Sequence, residues 1–169
     1  MKTCIGLFGT CGKSTWRRAF IECFEARGMK DGIDFFNPQV EDWSPVMAKA
    51  EARHLAEDSV ICVPVTGGSY SLGSLAETGF SIIQAMRLDD RRDFIVLIDQ
   101  YLDDELMENE KLARESLHIR ALVSQHLEML RLASVYIVNT LDEMLEVSLA
   151  CFGAHKMLEE SRRRWNPHE

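Results

Sequence analysis

The chain has no basic block long enough to offset its acidic residues, no apolar run of membrane length and no cysteine pairing motif. Its formal net charge is −8. General binding of nucleic-acid polymers rests on Lys and Arg neutralising phosphates, so that class is excluded. The arginines of SRRRWNPHE, residues 161–169, read as a solvated tail. No stretch is long enough to span a bilayer, and the apolar run after Lys2 is too short for a signal peptide. The expectation is a cytoplasmic protein with no membrane partner. The five cysteines, Cys4, Cys11, Cys23, Cys62 and Cys151, form no CxxC, and an odd number suits free thiols in a reducing compartment. The histidines show no metal-ligand spacing with cysteines or carboxylates, so no metal is expected. There is no internal repeat and no dividing linker.

What is present is an ordinary globular composition. Hydrophobic residues make up 46% and charged residues 27% of 169 residues. That is enough for one domain, residues 1–169, with a real core. KTCIGLF reads as a first strand ending at Gly9, and STWRRAFIECFEARG as a helix with Trp16, Phe20, Ile21 and Phe24 at helical spacing. IDFFNPQ is a second strand, and Ser44-Pro45 opens a helix to about Glu57. SVICVPV and DFIVLI are the continuous apolar runs of buried parallel strands. Between them lie the loop TGGSYSLG and the helix SLAETGFSIIQAMR. A charged helical stretch from Asp99 to about Leu132 precedes a fifth strand, SVYIVN, and a last helix. Strands alternating with helices predict an α/β fold. Its five-stranded parallel sheet takes the flavodoxin/Rossmann-like order 2-1-3-4-5, with helices on both faces. Ligands bind such sheets outside the carboxyl ends of the strands, at the switch point. GTCGKST, NPQVEDW and TGGSYSLGSLAE would meet there.

GTCGKST, residues 9–15, is close to a phosphate-binding loop but misses its spacing. The ATP-binding motif needs a glycine five positions before Gly12, where Leu7 stands. A strand, a Gly-rich turn and a helix N-terminus still favour an anion, or else the stretch is only a tight turn. Cys11 within it is either a reactive thiol or a small turn residue.

The third loop holds Gly67, Gly68 and Gly73 among small hydroxyl residues, and then Glu77. A carboxylate near a helix N-terminus is favoured in its ionised form. In a small-ligand crevice it serves as nucleophile or base; the plainer alternative is that Glu77 only complements the helix end.

SLGSLAETGFS, residues 71–81, resembles the active-site segment of the nucleoside 2-deoxyribosyltransferase family, a Gly-rich loop followed by Glu-x-Gly-x-Ala/Ser. GTCGKSTWR and FFNPQVEDW resemble a bacterial and phage-associated branch of it. The resemblance covers roughly residues 3–98 and implies cleavage of an N-glycosidic bond. Glu77 would attack the anomeric carbon, and a second base or water would then take the glycosyl group from the other face. The resemblance implies no organic cofactor or metal. Ser71-Leu72-Gly73 is similar to the branch that hydrolyses deoxynucleoside 5′-monophosphates, where transferases on free nucleosides place a carboxylate. A hydroxyl at Ser71 would admit a 5′-phosphate, or Ser71 is a loop hydroxyl or cap. Gly9, Thr10, Cys11 and Gly12 would shape the pocket floor, with Lys13 and Ser14 available to an anion. Gly68, Gly73 and Ser74 complete the substrate-binding set.

Asn37 and Gln39 end the second strand, where amides read a base edge. Trp43 either stacks on a base or covers the sheet edge. Glu51 is the candidate acid/base carboxylate, close to the register of the family's acidic residue. Asp58 resembles a common family aspartate but reads as a turn or cap. The family's tyrosine late in the first strand is replaced at about Leu7, and the sugar-binding carboxylate is absent. Those departures make hydrolysis more secure than transfer, and keep a non-catalytic nucleotide sensor as the alternative. A phosphoribohydrolase loop fits less well, because Glu77 comes nine residues after Gly68. The expected partners are a nucleoside or nucleotide and, by resemblance, further copies of the chain. The leucines at 117, 122, 127 and 130 would form that interface, or one face of their helix packs on its own sheet.

Overall fold

The computed structural model describes residues 2–11, 14–40, 44–88 and 92–165. Gly12, Lys13 and Trp43, three residues singled out in the sequence, lie outside the described residues. At the centre of the fold is β3 (Asp58–Val65), buried along its whole length. It pairs in parallel with β1 (Lys2–Leu7) on one side and β4 (Asp93–Ile98) on the other. β2 (Phe35–Phe36) lies outside β1, and β5 (Val135–Ile137) outside β4. The strand order is β2-β1-β3-β4-β5, the expected doubly wound arrangement.

Alternation along each strand divides the core in two, because successive side chains point to opposite faces. Ile5, Leu7, Val60, Cys62, Ile95 and Leu97 face α1 (Trp16–Ala26) and α6 (Leu141–Trp165). Cys4, Phe8, Ile61, Val63 and Phe94 face the other way, where Leu55 of α2 (Pro45–Glu57) packs. α3 (Leu72–Leu88) crosses β3 and β4 and packs against α5 (Glu110–Leu130). The α1 aromatics form a ladder: the ring centroids of Trp16 and Phe20 are 5.1 Å apart, and those of Phe20 and Phe24 6.0 Å apart, both edge-on. Such contacts add to burial, and Phe24 also meets Phe35 of β2, with ring centroids 5.4 Å apart.

Two elements are shorter than expected. The second strand pairs only at Phe35 and Phe36, since Pro38 has no N–H to continue a ladder. The helical stretch expected from Asp99 begins as an irregular segment. α4 (Asp104–Met107) follows, and α5 then starts at an Asn109 cap whose side chain accepts the Leu112 N–H at 3.3 Å. The α5 leucines divide: Leu127 is buried, Leu117 half-buried, Leu122 and Leu130 exposed. Among the described residues no helix is long and apolar enough to cross a membrane.

Candidate functional site between the ends of β1 and β3

The loop after β1 is drawn tightly onto the end of β3. Gly9 has φ +93°, and a Cβ there would meet the Pro64 carbonyl oxygen at 2.5 Å, so only glycine fits. Thr10 donates its N–H to Pro64 O at 2.9 Å, and its hydroxyl lies 3.1 Å from the same oxygen. That hydroxyl accepts the Thr66 N–H at 2.9 Å and lies 2.9 Å from Ser71 Oγ. One buried threonine side chain thus joins β1, β3 and the loop before α3.

Arg17 sets the other side of this turn. Its side chain is 2% exposed. Nε donates to Leu7 O at 2.9 Å, Nη1 to Thr10 O at 2.6 Å and Nη2 to Gly9 O at 3.1 Å. Trp16 Nε1 adds a bond to Thr10 O at 3.0 Å, and the guanidinium lies 4.5 Å from the Trp16 ring centroid. Burial presses the Arg17 pKa down, while nearby Cys11, Glu77 and Glu51 hold it charged. Cys11 is exposed, with Sγ 3.4 Å from Gly9 O and 3.6 Å from Arg17 Nη2.

Against this turn lies Glu77, whose Oε2 accepts the Gly9 N–H at 3.3 Å. Burial pushes its pKa up most strongly. The Gly9 N–H pulls it down, Glu51 raises it and Arg17 lowers it. The sequence placed Glu77 at the positive end of a helix. α3 begins at Leu72, so Glu77 is its sixth residue, and the first turn carries no acid. The dipole fades within one turn, and a backbone donor from another loop takes its place. Glu51, on α2, is half-buried; burial raises its pKa and the Arg17 charge opposes that rise. Two carboxylates and one buried cation therefore share the crevice at the switch point.

Several expected binding residues have internal roles. Ser71 sits at φ 53°, in the left-handed region, and its carbonyl accepts the Leu75 N–H at 2.9 Å as α3 starts. Its hydroxyl lies between Thr10 Oγ1 and Ser69 O, at 2.9 and 3.3 Å. Ser74 is buried, and its carbonyl accepts the Thr78 hydroxyl at 2.8 Å. Gly73 faces open space, and Gly68 is exposed. The structure does not bring Asn37 and Gln39 into the Gly9–Glu77 contact. The Asn37 N–H goes to Asp31 Oδ1 at 3.4 Å, and the Gln39 N–H to Asn37 Oδ1 at 3.1 Å.

Arg120 is the residue that sequence reasoning missed on the far wall. It is 0% exposed on α5. Nη1 donates to Val65 O at 3.1 Å and Asp99 O at 2.8 Å, and Nη2 to Thr66 O at 3.0 Å and Ser69 O at 2.6 Å. The Asp99 carboxylate accepts the Gly67 N–H at 2.9 Å, and the Tyr101 ring packs on Gly67, where a Cβ would be 2.5 Å from it. A signal existed: Arg120 lies seven residues from both Ala113 and Leu127, on one buried stripe.

A cavity of about 370 Å³ adjoins these loops, lined by Ser14, Thr15, Gly68, Asp103, Glu105 and Leu106. It places the start of α1, where Thr15 makes no side-chain cap, opposite two carboxylates. A larger cavity of about 540 Å³ opens at the ends of β4 and β5, between Ile98, Gln100, Ser124, Gln125 and Asn139. Leu127 lines it, but none of the candidate catalytic or substrate-binding residues does. No protein-family model matches the chain, and no curated protein matches it.

Proposed function

We propose that the chain cleaves or transfers at the N-glycosidic bond of a (deoxy)nucleoside or nucleotide through a covalent glycosyl-glutamate intermediate. The observation that carries this reading is the Gly9 N–H held 3.3 Å from Glu77 Oε2, with Arg17 and Glu51 in electrostatic reach. A nucleophilic carboxylate must be ionised, and Gly9 and Arg17 both favour that form against burial. Glu51 has a raised pKa and only the Arg17 charge opposing it, which suits a proton donor to a departing base. In the first step a Glu77 oxygen bonds the anomeric carbon as the bond to the base breaks, and Glu51 supplies the leaving base with a proton. In the second, water or another base attacks from the opposite face, gives up a proton to Glu51 and frees Glu77.

The test is base release from deoxynucleosides, their 5′-monophosphates and NAD, separated by chromatography beside Glu77→Gln. Release by the native chain, absent in the variant, supports the reading. So does a mass gain of one glycosyl unit on the peptide containing Glu77. Folded protein that binds these ligands and releases no base from any of them rejects it.

A second reading, a non-catalytic nucleotide sensor, is favoured by one observation. Leu7 is fully buried in the core facing α1 and α6, so this position supplies no hydroxyl to the crevice. For a sensor, Glu77→Gln would bind ligand as tightly as the native chain, and neither would turn it over.

A further inference from the structure

Away from the crevice, three side chains of metal-ligand type converge from three elements: Cys4 of β1, His54 of α2 and Asp58 at the start of β3. We propose that they form a binding site for a divalent ion of the zinc type, which ties α2 to the sheet. The proposal is independent of the glycosidic reading.

The ligand atoms, Cys4 Sγ, His54 Nδ1 and an Asp58 oxygen, lie within 4.8 Å of one another. His54 Nδ1 is 3.0 Å from each Asp58 oxygen. A zinc ion at its usual bond lengths sets tetrahedral ligand atoms roughly 3.3–3.8 Å apart. Small side-chain adjustments close the triad to that geometry. The His54 ring is already fixed, stacked on Phe36 at 3.7 Å with 1° between the planes. Cys4 and Asp58 are fully buried and His54 is partly exposed, so a water in the fourth position would enter on the His54 side.

Charge also favours the ion. A buried carboxylate and a buried thiolate are each costly alone, and a divalent cation between them leaves the site neutral. On binding, the Cys4 S–H proton passes to solvent and His54 keeps its proton on Nε2. Lys2 and Arg92 bring positive charge close to Asp58, which opposes any dication equally, so the choice of ion falls to the ligand types. Thiolate and imidazole select zinc over magnesium or calcium.

A role follows from α2 itself. The helix has no fully buried residue, so its apolar packing on the sheet is slight. It also carries Glu51. An ion bound through His54 would pin the helix that presents this carboxylate. The sequence does hold one signal, His54 and Asp58 four residues apart across the end of α2, which the reading of the histidines passed over; Cys4 comes from a distant strand.

The full chain, stripped with a chelator, would be titrated with Zn²⁺ by calorimetry and with Co²⁺ by absorption spectroscopy. The expected result is one ion per chain and a thiolate-to-cobalt charge-transfer band with tetrahedral visible bands. The band persists in Cys11→Ser, which removes the exposed thiol, and disappears in Cys4→Ser. His54→Gln weakens Zn²⁺ at least about tenfold, as even outer-shell changes do at metal sites. Zn²⁺ raises the Tm of the native chain and not that of His54→Gln. Absence of the band in the native chain overturns the proposal, because the triad is then only hydrogen-bonded. If Cys4→Ser does not fold, His54→Gln decides alone: an unchanged spectrum and affinity there also overturns it.

Discussion

The hydroxyls of Thr10 and Ser71 lie 2.9 Å apart, joining the turn after β1 to the residue that precedes α3. The contact places Gly9 and Glu77 on either side of one crevice, and it occupies the oxygen that the resemblance offers to a phosphate. Thr10→Val leaves the Thr66 N–H without its acceptor and is expected to cost about 1–3 kcal/mol, whereas Thr10→Ser costs little. Ser71→Ala keeps the left-handed backbone and loses the hydroxyl, for about 1 kcal/mol. Ser71→Gly loses the same bond but relieves the backbone, and lies nearer to native. Urea denaturation measures all four. As a staple, Ser71→Ala changes kcat/KM for nucleosides and their monophosphates alike; a loss confined to monophosphates would make Ser71 a phosphate ligand.

Glu77 and Glu51 both have pKa values raised by burial, and this has a sign in stability as well as in rate. A carboxyl raised on folding contributes stability that is fully present below its unfolded pKa and is lost as pH rises through the folded value. At neutral pH both groups therefore cost the native state stability relative to acid pH. Glu77→Gln is expected to raise Tm at pH 7 while abolishing base release, and the gain in Tm should vanish at acid pH. Glu51→Gln is expected to lower kcat by roughly 10²–10⁴-fold, the usual range for a lost general acid. A Glu77→Gln protein no more stable than native at pH 7 would mean that its carboxylate is not held against burial.

Arg17 donates to three carbonyls of the turn and lowers the Glu77 pKa through its charge. Arg17→Met strips those carbonyls of a buried charged donor, and a loss of about 3 kcal/mol or more is expected. Arg17→Lys keeps the charge with fewer bonds and should be the milder change. A structural role alone would leave the pH profile in place. With the charge removed, the Glu77 pKa rises, so the acid limb of kcat/KM against pH moves to higher pH in Arg17→Met and much less in Arg17→Lys.

The sheet was legible because its causes are local. Val60 to Val65 lie in one buried run, and the apolar residues of α1 recur at helical spacing. Gly9 was legible as a turn residue, since glycine marks a tight bend, but its contact with Pro64 belongs to another strand. Arg17 and Arg120 were not legible for a physical reason. An arginine in an amphipathic helix ordinarily lies in solvent, and these two are buried because backbone carbonyls at loop ends need donors. Carbonyls leave no trace in a sequence. Glu77 was singled out in the sequence, but its surroundings were not legible, because its hydrogen-bond donor comes from Gly9, sixty-eight positions away.

The cavity beside the crevice bears on which substrates enter. The uncapped start of α1 attracts an anion, while Asp103 and Glu105 line the opposite wall and repel one. Two unit charges 4 Å apart in water interact by about 1 kcal/mol, and less as distance grows. Each carboxylate therefore handicaps a phosphate lodged there by a fewfold rather than by orders of magnitude. Asp103→Asn with Glu105→Gln is expected to raise kcat/KM for a deoxynucleoside 5′-monophosphate by roughly five- to tenfold over the matching nucleoside, most at low salt and least at high salt. An equal change for both substrates, or no salt dependence, would show that the 5′ end lies elsewhere and that the acidic wall faces only solvent.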